Sequence, residues 1–103
     1  MDATYLAIAD PTRRAILDRL MGGPARVTDV AAPFAMSLAG VSKHVKVLER
    51  AGLVRRVRNG REHTLALEAA PLREVARWAS RYQQFWNDRL DRLEAHFAQR
   101  KKT

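Results

Sequence analysis

The chain has 103 residues, 47% of them hydrophobic, and a net charge of +8; that is enough for one folded core, too little for two, and too apolar for a disordered basic segment. It contains no cysteine, which excludes disulfides, thiolate metal sites and thiol redox chemistry. No apolar run approaches the roughly 20 residues of a membrane span and the N-terminus carries no secretory pattern, so the expected location is the cytoplasm, with no membrane partner.

Tyr5, Leu6, Ile8 and Ala9 suggest a short first helix. Asp10-Pro11 signals the start of a second, with Asp10 as N-cap and Pro11 at the first helical position, where its missing N–H costs nothing. Ile16, Leu17 and Leu20 are expected to face inward and Arg13, Arg14 and Arg19 to face solvent, before Gly22-Gly23-Pro24 ends the helix. Thr28 is the expected cap of a third helix carrying Val30 and Ala31, which Pro33 limits to little more than a turn. Phe34 and Met36 are then expected to pack beneath the next element.

That element is a fourth helix, Ser37 to Ala51, with Ser37 as N-cap and Gly52 as a left-handed stop. Leu38, Val41, Val45 and Leu48 share one face. Lys43, Lys46 and Arg50 lie roughly opposite, with Ala39 among them and Ser42 on the flank. One face is suited to a core, and the other offers cations separated by short side chains. A helix so divided can lie in the major groove of duplex DNA, with lysines toward phosphates and small residues near base edges. His44 lies roughly 60° off the apolar stripe, open to an orienting role or to a phosphate hydrogen bond.

Leu53 to Arg58 and Arg61 to Leu67 read as two strands around Asn59-Gly60. Asn-Gly between β-prone runs predicts a type I′ hairpin, which pairs Arg58 with Arg61, Arg56 with His63, and Val54 with Leu65. The hairpin is a basic finger with an apolar base. From Ser37 to His63, seven cations (Lys43, Lys46, Arg50, Arg55, Arg56, Arg58 and Arg61) stand against Glu49 and Glu62. That concentration points to a polyanionic partner, nucleic acid before any other.

Pro71 opens a long helix expected to reach about Gln99. Leu72, Ala76, Ala79, Trp86, Leu90, Leu93 and Phe97 form a stripe, with Val75 and Tyr82 at its edge and Trp78 and Phe85 widening it. Such a helix is ~40 Å long, against a radius of gyration of ~13 Å for a domain of this size. The chain cannot cover it alone, which predicts a homodimer held by this helix, the first helix and its Tyr5 assisting. Residues 1–99 are expected to form a single domain, mainly α with a two-stranded β-hairpin, and Arg100 to Thr103 a frayed basic tail.

The order helix, helix, short helix, amphipathic basic helix, hairpin, long helix is the winged helix-turn-helix plan. The residues themselves resemble the ArsR family of bacterial transcriptional repressors. The matching stretches are Ile8-Ala-Asp-Pro-Thr-Arg-Arg-Ala-Ile-Leu17, Val41-Ser-Lys-His-Val-Lys-Val-Leu-Glu-Arg-Ala-Gly-Leu-Val54, Asn59-Gly-Arg61 and Leu65-Ala-Leu67. Pro71-Leu-Arg73 and Phe85-Trp-Asn-Asp-Arg-Leu-Asp-Arg-Leu-Glu94 look like a cysteine-free branch of that family. The resemblance implies a dimeric repressor that binds a double-stranded DNA operator through one recognition helix per subunit. By position it assigns DNA contacts to Ser37, Ser42, Lys43, His44 and Lys46 on the helix and to Arg58 and Arg61 on the wing. The reading from the residues adds Ala39, Gly40, Arg50 and Arg56. Ala39-Gly40 stands where relatives often carry a polar residue, Pro or Ala, which shifts specificity toward thymine methyls and DNA shape.

No metal or other cofactor is expected. The zinc-sensing branch of the family uses Asp, His and Glu from two subunits, and here the last helix offers Asp88, Asp91, Glu94 and a single histidine, His96. Those acids are equally suited to pairing with Arg89 and Arg92. Trp78, Tyr82, Phe85 and Trp86 are open to two uses, dimer packing or a pocket for an unidentified small-molecule effector. Ser42 and His44 do not form a nucleophile and base, because helical positions two apart diverge, and no enzymatic constellation is present. Two alternatives to a sequence-specific regulator stay open at this point: a non-sequence-specific nucleic-acid binder and a winged-helix protein-interaction module.

Overall fold

The computed structural model describes residues 2–101. Its elements in chain order are α1 (Asp2–Ile8), α2 (Pro11–Met21), β1 (Ala25–Arg26), α3 (Val27–Ala31), α4 (Leu38–Arg50), β2 (Val54–Asn59), β3 (Glu62–Leu67), α5 (Leu72–Ser80) and α6 (Gln83–Lys101). They fall into two compact units, the first through Arg73 and the second from Glu74 onward.

The first unit is organised by its helix ends. Asp10 caps α2 by accepting the amides of Thr12 at 2.8 Å and Arg13 at 3.1 Å, as its place before Pro11 predicts. Arg13, half-buried, departs from the expectation that it faces solvent; Arg14 is exposed as expected, and both bond the preceding helix. Arg13 donates from Nε to the Ala7 carbonyl at 2.7 Å and from Nη2 to the Leu6 carbonyl at 2.8 Å, while Arg14 Nη1 reaches the Ile8 carbonyl at 2.7 Å. The last carbonyls of a helix have no partner within it. Two arginines from the next helix supply those partners to α1.

The third helix starts earlier than Thr28. Val27 is its first residue and the extended Arg26 precedes it without a side-chain cap. Ala25 and Arg26 form a short strand that pairs antiparallel with β3, Ala25 opposite Leu65 and Arg26 opposite Thr64. The wing therefore belongs to a three-stranded sheet in the order β1-β3-β2, where a two-stranded hairpin was expected. Two residues carry no readable alternation, so this strand had no signature of its own. Pro33 ends α3 as anticipated, with Ala31 its last helical residue.

Ser37 caps α4 by accepting the Gly40 amide at 3.0 Å. The other end is a Schellman motif: Gly52 takes φ +74°, its amide bonds the Glu49 carbonyl, and the Leu53 amide bonds the Leu48 carbonyl at 2.9 Å. Leu48 and Leu53 are both fully buried, the apolar contact that accompanies this cap. The core gathers Ala7 from α1, Ile16, Leu17 and Leu20 from α2, Val30 from α3, Val41, Val45 and Leu48 from α4, and Val54 and Leu65 from the wing. Phe34 packs against it from one side. Leu38 and Met36, expected to be buried, are exposed. Both precede Val41, the first α4 residue that reaches the core, so the start of this helix extends past the packed layer.

The second unit departs from the single helix expected over Pro71 to Gln99. Ser80 donates its hydroxyl to the Arg77 carbonyl at 2.7 Å. That carbonyl would otherwise accept the Arg81 amide, which bonds the Trp78 carbonyl at 3.3 Å instead. The Tyr82 amide likewise bonds only three residues back, to Ala79. The ladder tightens for one turn and the helix divides into α5 and α6 around Arg81 and Tyr82. α6 alone keeps 19 residues, about 28 Å. It is assigned through Lys101; Lys102 and Thr103, the end of the tail expected to fray, lie outside the described residues. Among the described residues no helix is long and apolar enough to cross a membrane.

Candidate nucleic-acid interface

The basic face of α4 follows from its period. Lys43, Lys46 and Arg50 stand three and four residues apart, so they share one side, and all three are exposed. Val41, Val45 and Leu48 fill the opposite side at 0% exposure, which fixes the rotation of the helix about its axis. Ala39 is exposed on the cationic side, and Ser42 and Gly40 are half-buried at its edges. A Cβ on Gly40 would come to 3.3 Å from Ser37 Oγ, the capping hydroxyl, so a side chain there would press on the cap.

His44 is held from behind. Its Nδ1 lies 3.3 Å from Arg13 Nη1 and 3.9 Å from Asp10 Oδ1, with the side chain 24% exposed. Nδ1 faces the Arg13 guanidinium, a donor, and the Asp10 carboxylate, an acceptor, at once. The orienting alternative for His44 thus has a geometric basis: the N-terminus of α2 grips the middle of α4 through Asp10, Arg13 and His44. The Arg13 amide holds the Asp10 carboxyl below its ordinary value, outweighing desolvation, and the Thr12 amide adds to it.

The wing differs in register from the expectation. Observed pairs are Val54–Leu67, Arg56–Leu65, Arg58–His63 and Asn59–Glu62, which moves the turn to Gly60-Arg61. A type I′ turn needs positive φ at two residues, and only Gly60 takes it, at +64°. Positive φ at the first central residue alone is the signature of a type II′ turn, where glycine costs least. The displacement is by two residues per pair, so each side chain keeps the face it was assigned. It also places Arg61 in the turn itself.

The cations divide by partner. Arg55 pairs with Glu68 at 3.1 Å, and Arg26 with Glu62 at 2.8 Å, both pairs exposed and therefore weak. Arg56, grouped by sequence with the wing's free cations, is 15% exposed and committed to Glu49 and His63. Lys43, Lys46, Arg50, Arg58 and Arg61 are exposed and have no ion pair among the described residues. Between the wing and the start of α4 lies a cleft of about 310 Å³, with Arg56, Arg61 and His63 on one wall and Val27, Thr28 and Leu38 on the other.

The residues assigned to dimerisation separate. Tyr5 is half-buried in the first unit, and Leu72 packs against this chain's own core rather than joining an open stripe. Trp78, Tyr82, Phe85, Trp86, Leu90, Leu93 and Phe97, all in the second unit, are 46% to 60% exposed. Trp78, Tyr82 and Trp86 border a recess of about 420 Å³, with the Trp78 and Tyr82 rings edge to face at 5.5 Å. Phe85 stands outside this recess, beneath the Arg89 guanidinium at 4.4 Å. Asp88, Asp91, Glu94 and His96 are spread along α6, and among the described residues no three His, Asp or Glu side chains of one chain converge. Sequence reasoning overlooked Glu49, Arg13 and Arg14, whose partners lie on other elements.

This arrangement has parallels among known proteins. Residues 8–57 match the model of a helix-turn-helix domain family. The chain is 35% identical over 78 residues to the transcriptional repressor SdpR of Bacillus subtilis (strain 168), covering 76% of this chain and 87% of that protein. It superposes with a TM-score of 0.75 on the crystal structure of the ArsR family transcriptional regulator RHA00566, at 42% identity over 84% of this chain and 89% of that one. A solution structure from Mycobacterium bovis, the homodimeric winged helix-turn-helix DNA-binding domain of Mb0332, gives a TM-score of 0.62 at 27% identity, over 87% of this chain and 81% of that one. With a cationic helix backed by the core, a wing beside it and relatives alike over most of their length, the chain belongs to the ArsR family of winged helix-turn-helix transcriptional regulators, which bind DNA.

Proposed function

We propose that this regulator is a homodimeric repressor that reads an inverted-repeat operator through α4 and its wing. The observation that carries the reading is the second unit's apolar surface: seven large hydrophobic side chains, each about half exposed, on α5, α6 and the turn between them, in a protein with net charge +8. Patches of that extent mark interaction surfaces, and a second copy is the economical cover. The homodimeric Mycobacterium bovis domain and the repressor named in Bacillus subtilis support both halves of the proposal.

Lys43, Lys46, Arg50, Arg58 and Arg61 contact phosphates and set the register, while Ser37, Ala39, Gly40, Ser42 and His44 lie nearest the bases. Ala39 and Gly40 offer no hydrogen-bonding side chain and His44 is held from behind by Arg13, so thymine methyls and DNA shape carry much of the specificity. A repressor of this kind works in the cytoplasm, where the chromosome is. Two-fold symmetry requires two half-sites in inverted orientation, one or two helical turns apart. Selection from a random-sequence duplex library should return such a pair, bound by two chains. Recovery of one unpaired half-site bound by one chain overturns the dimeric reading, and recovery of no preferred sequence overturns the specific one.

A further inference from the structure

We infer that Glu49 and Arg56 are positioning residues for DNA reading: a clamp that locks the wing to the recognition helix. The inference rests on the DNA-reading role proposed above. Arg56 donates from Nε at 3.2 Å and Nη2 at 2.8 Å to Oε1 of Glu49, and its Nη1 lies 2.8 Å from Nδ1 of His63. One guanidinium thus ties together α4, β2 and β3. Its side chain is 15% exposed and that of Glu49 29%, so solvent screens the pair only partly.

The placement gives the clamp its purpose. Glu49 stands on α4 next to Arg50, and His63 stands opposite Arg58 on the wing. The phosphate-binding cations of the two elements are therefore separated by a chain of three side chains, with only the Ala51 to Leu53 connection joining the backbones. Arg56 itself is turned to the inner face, level with the fully buried Leu65. A planar guanidinium with three bonds in fixed directions sets an angle between helix and hairpin, which a lysine at that position cannot do. The clamp also accounts for the one acid of α4, on a helix whose other charges are cationic.

The test turns on opposite signs. The probes are the tightest duplex that wild-type protein selects from a random library and a shuffled duplex of equal length, titrated across a range of salt. If Glu49 only perturbs the local field, Glu49→Ala strengthens binding to both duplexes. If it positions the wing, Glu49→Ala weakens binding to the selected duplex about tenfold and leaves binding to the shuffled one equal or tighter at low salt. Arg56→Lys separates the roles further. As a phosphate contact it keeps most of the affinity; as a clamp it loses nearly as much preference for the selected duplex as Arg56→Ala.

Glu49→Gln, which retains an acceptor oxygen, should recover part of that preference. Melting curves and shuffled-duplex binding confirm that each variant is folded. The clamp is overturned if Arg56→Lys keeps the wild-type preference, or if Glu49→Ala tightens binding to both duplexes. Wild-type protein that selects no duplex overturns the DNA-reading role instead, so the two failures are distinct.

Discussion

Gly52 and Asp10 each control a helix terminus, and their costs on substitution differ in kind. At Gly52 a Cβ would meet nothing nearer than Pro71 Cγ at 3.8 Å, so space is not the obstacle. The obstacle is φ +74°, a left-handed geometry that costs an L-residue about 1–2 kcal/mol. Gly52→Ala should lower unfolding free energy by that amount in urea melts, with no change in m-value; an unchanged midpoint would show that the Schellman cap is dispensable. Asp10 acts through charge. Its carboxyl is held below the ordinary value of 3.8, chiefly by the Arg13 amide. A depressed folded-state pKa means the contribution is complete above the ordinary value and disappears as pH falls through the lowered one. Asp10→Asn keeps the capping acceptor but cannot titrate there, so its acid unfolding curve should be flatter than wild type in that window. Parallel curves would assign the acid sensitivity to other groups.

At the scale of elements, the proposed reading divides the work of DNA binding between α4 and the wing. Core packing of Val41, Val45 and Leu48 fixes which side of α4 faces out, and the strand register fixes where Arg58 and Arg61 stand. Lys43→Ala and Arg61→Ala should each weaken binding to selected and shuffled duplexes alike. The slope of log affinity against log salt should become shallower by about 0.9 for every phosphate contact removed. A variant that changes base preference and leaves the slope intact would instead be reading bases. The Ser80 hydroxyl acts at the same scale, dividing a stretch of helical pattern into α5 and α6 by capturing one carbonyl.

At the scale of the whole molecule, the apolar surface of the second unit is what a single chain leaves unsatisfied. Leu90 is 56% exposed on α6, so Leu90→Glu costs the isolated chain little. In a dimer it would bury two like charges, a penalty on the order of 3 kcal/mol or more. Sedimentation at micromolar concentration should then find monomers, and affinity for the selected duplex should fall at least about a hundredfold. A variant that still sediments as a dimer would mean the stripe is not the interface. Loss of affinity without loss of the dimer would point to altered DNA geometry instead.

Most of the helices and the recognition-helix stripe were legible in the sequence by itself. Asp10-Pro11, Ser37, Gly52 and Pro33 act on backbone groups within a few residues, and the 3.6-residue period of α4 is local, so the order of residues determined the caps, stops and outward cations. Only the tertiary structure decided what depends on partners distant in the chain. It revealed β1 against β3, the arginines that finish α1, the burial of Arg56 against Glu49, and the exposure of Leu38. The hairpin lies between these cases: Asn-Gly announced a turn, but only the strand register, Asn59 opposite Glu62, puts glycine in its first place. A local signal is written in spacing; the destination of a hydrogen-bond donor six or seven residues from its acceptor is written only in three dimensions.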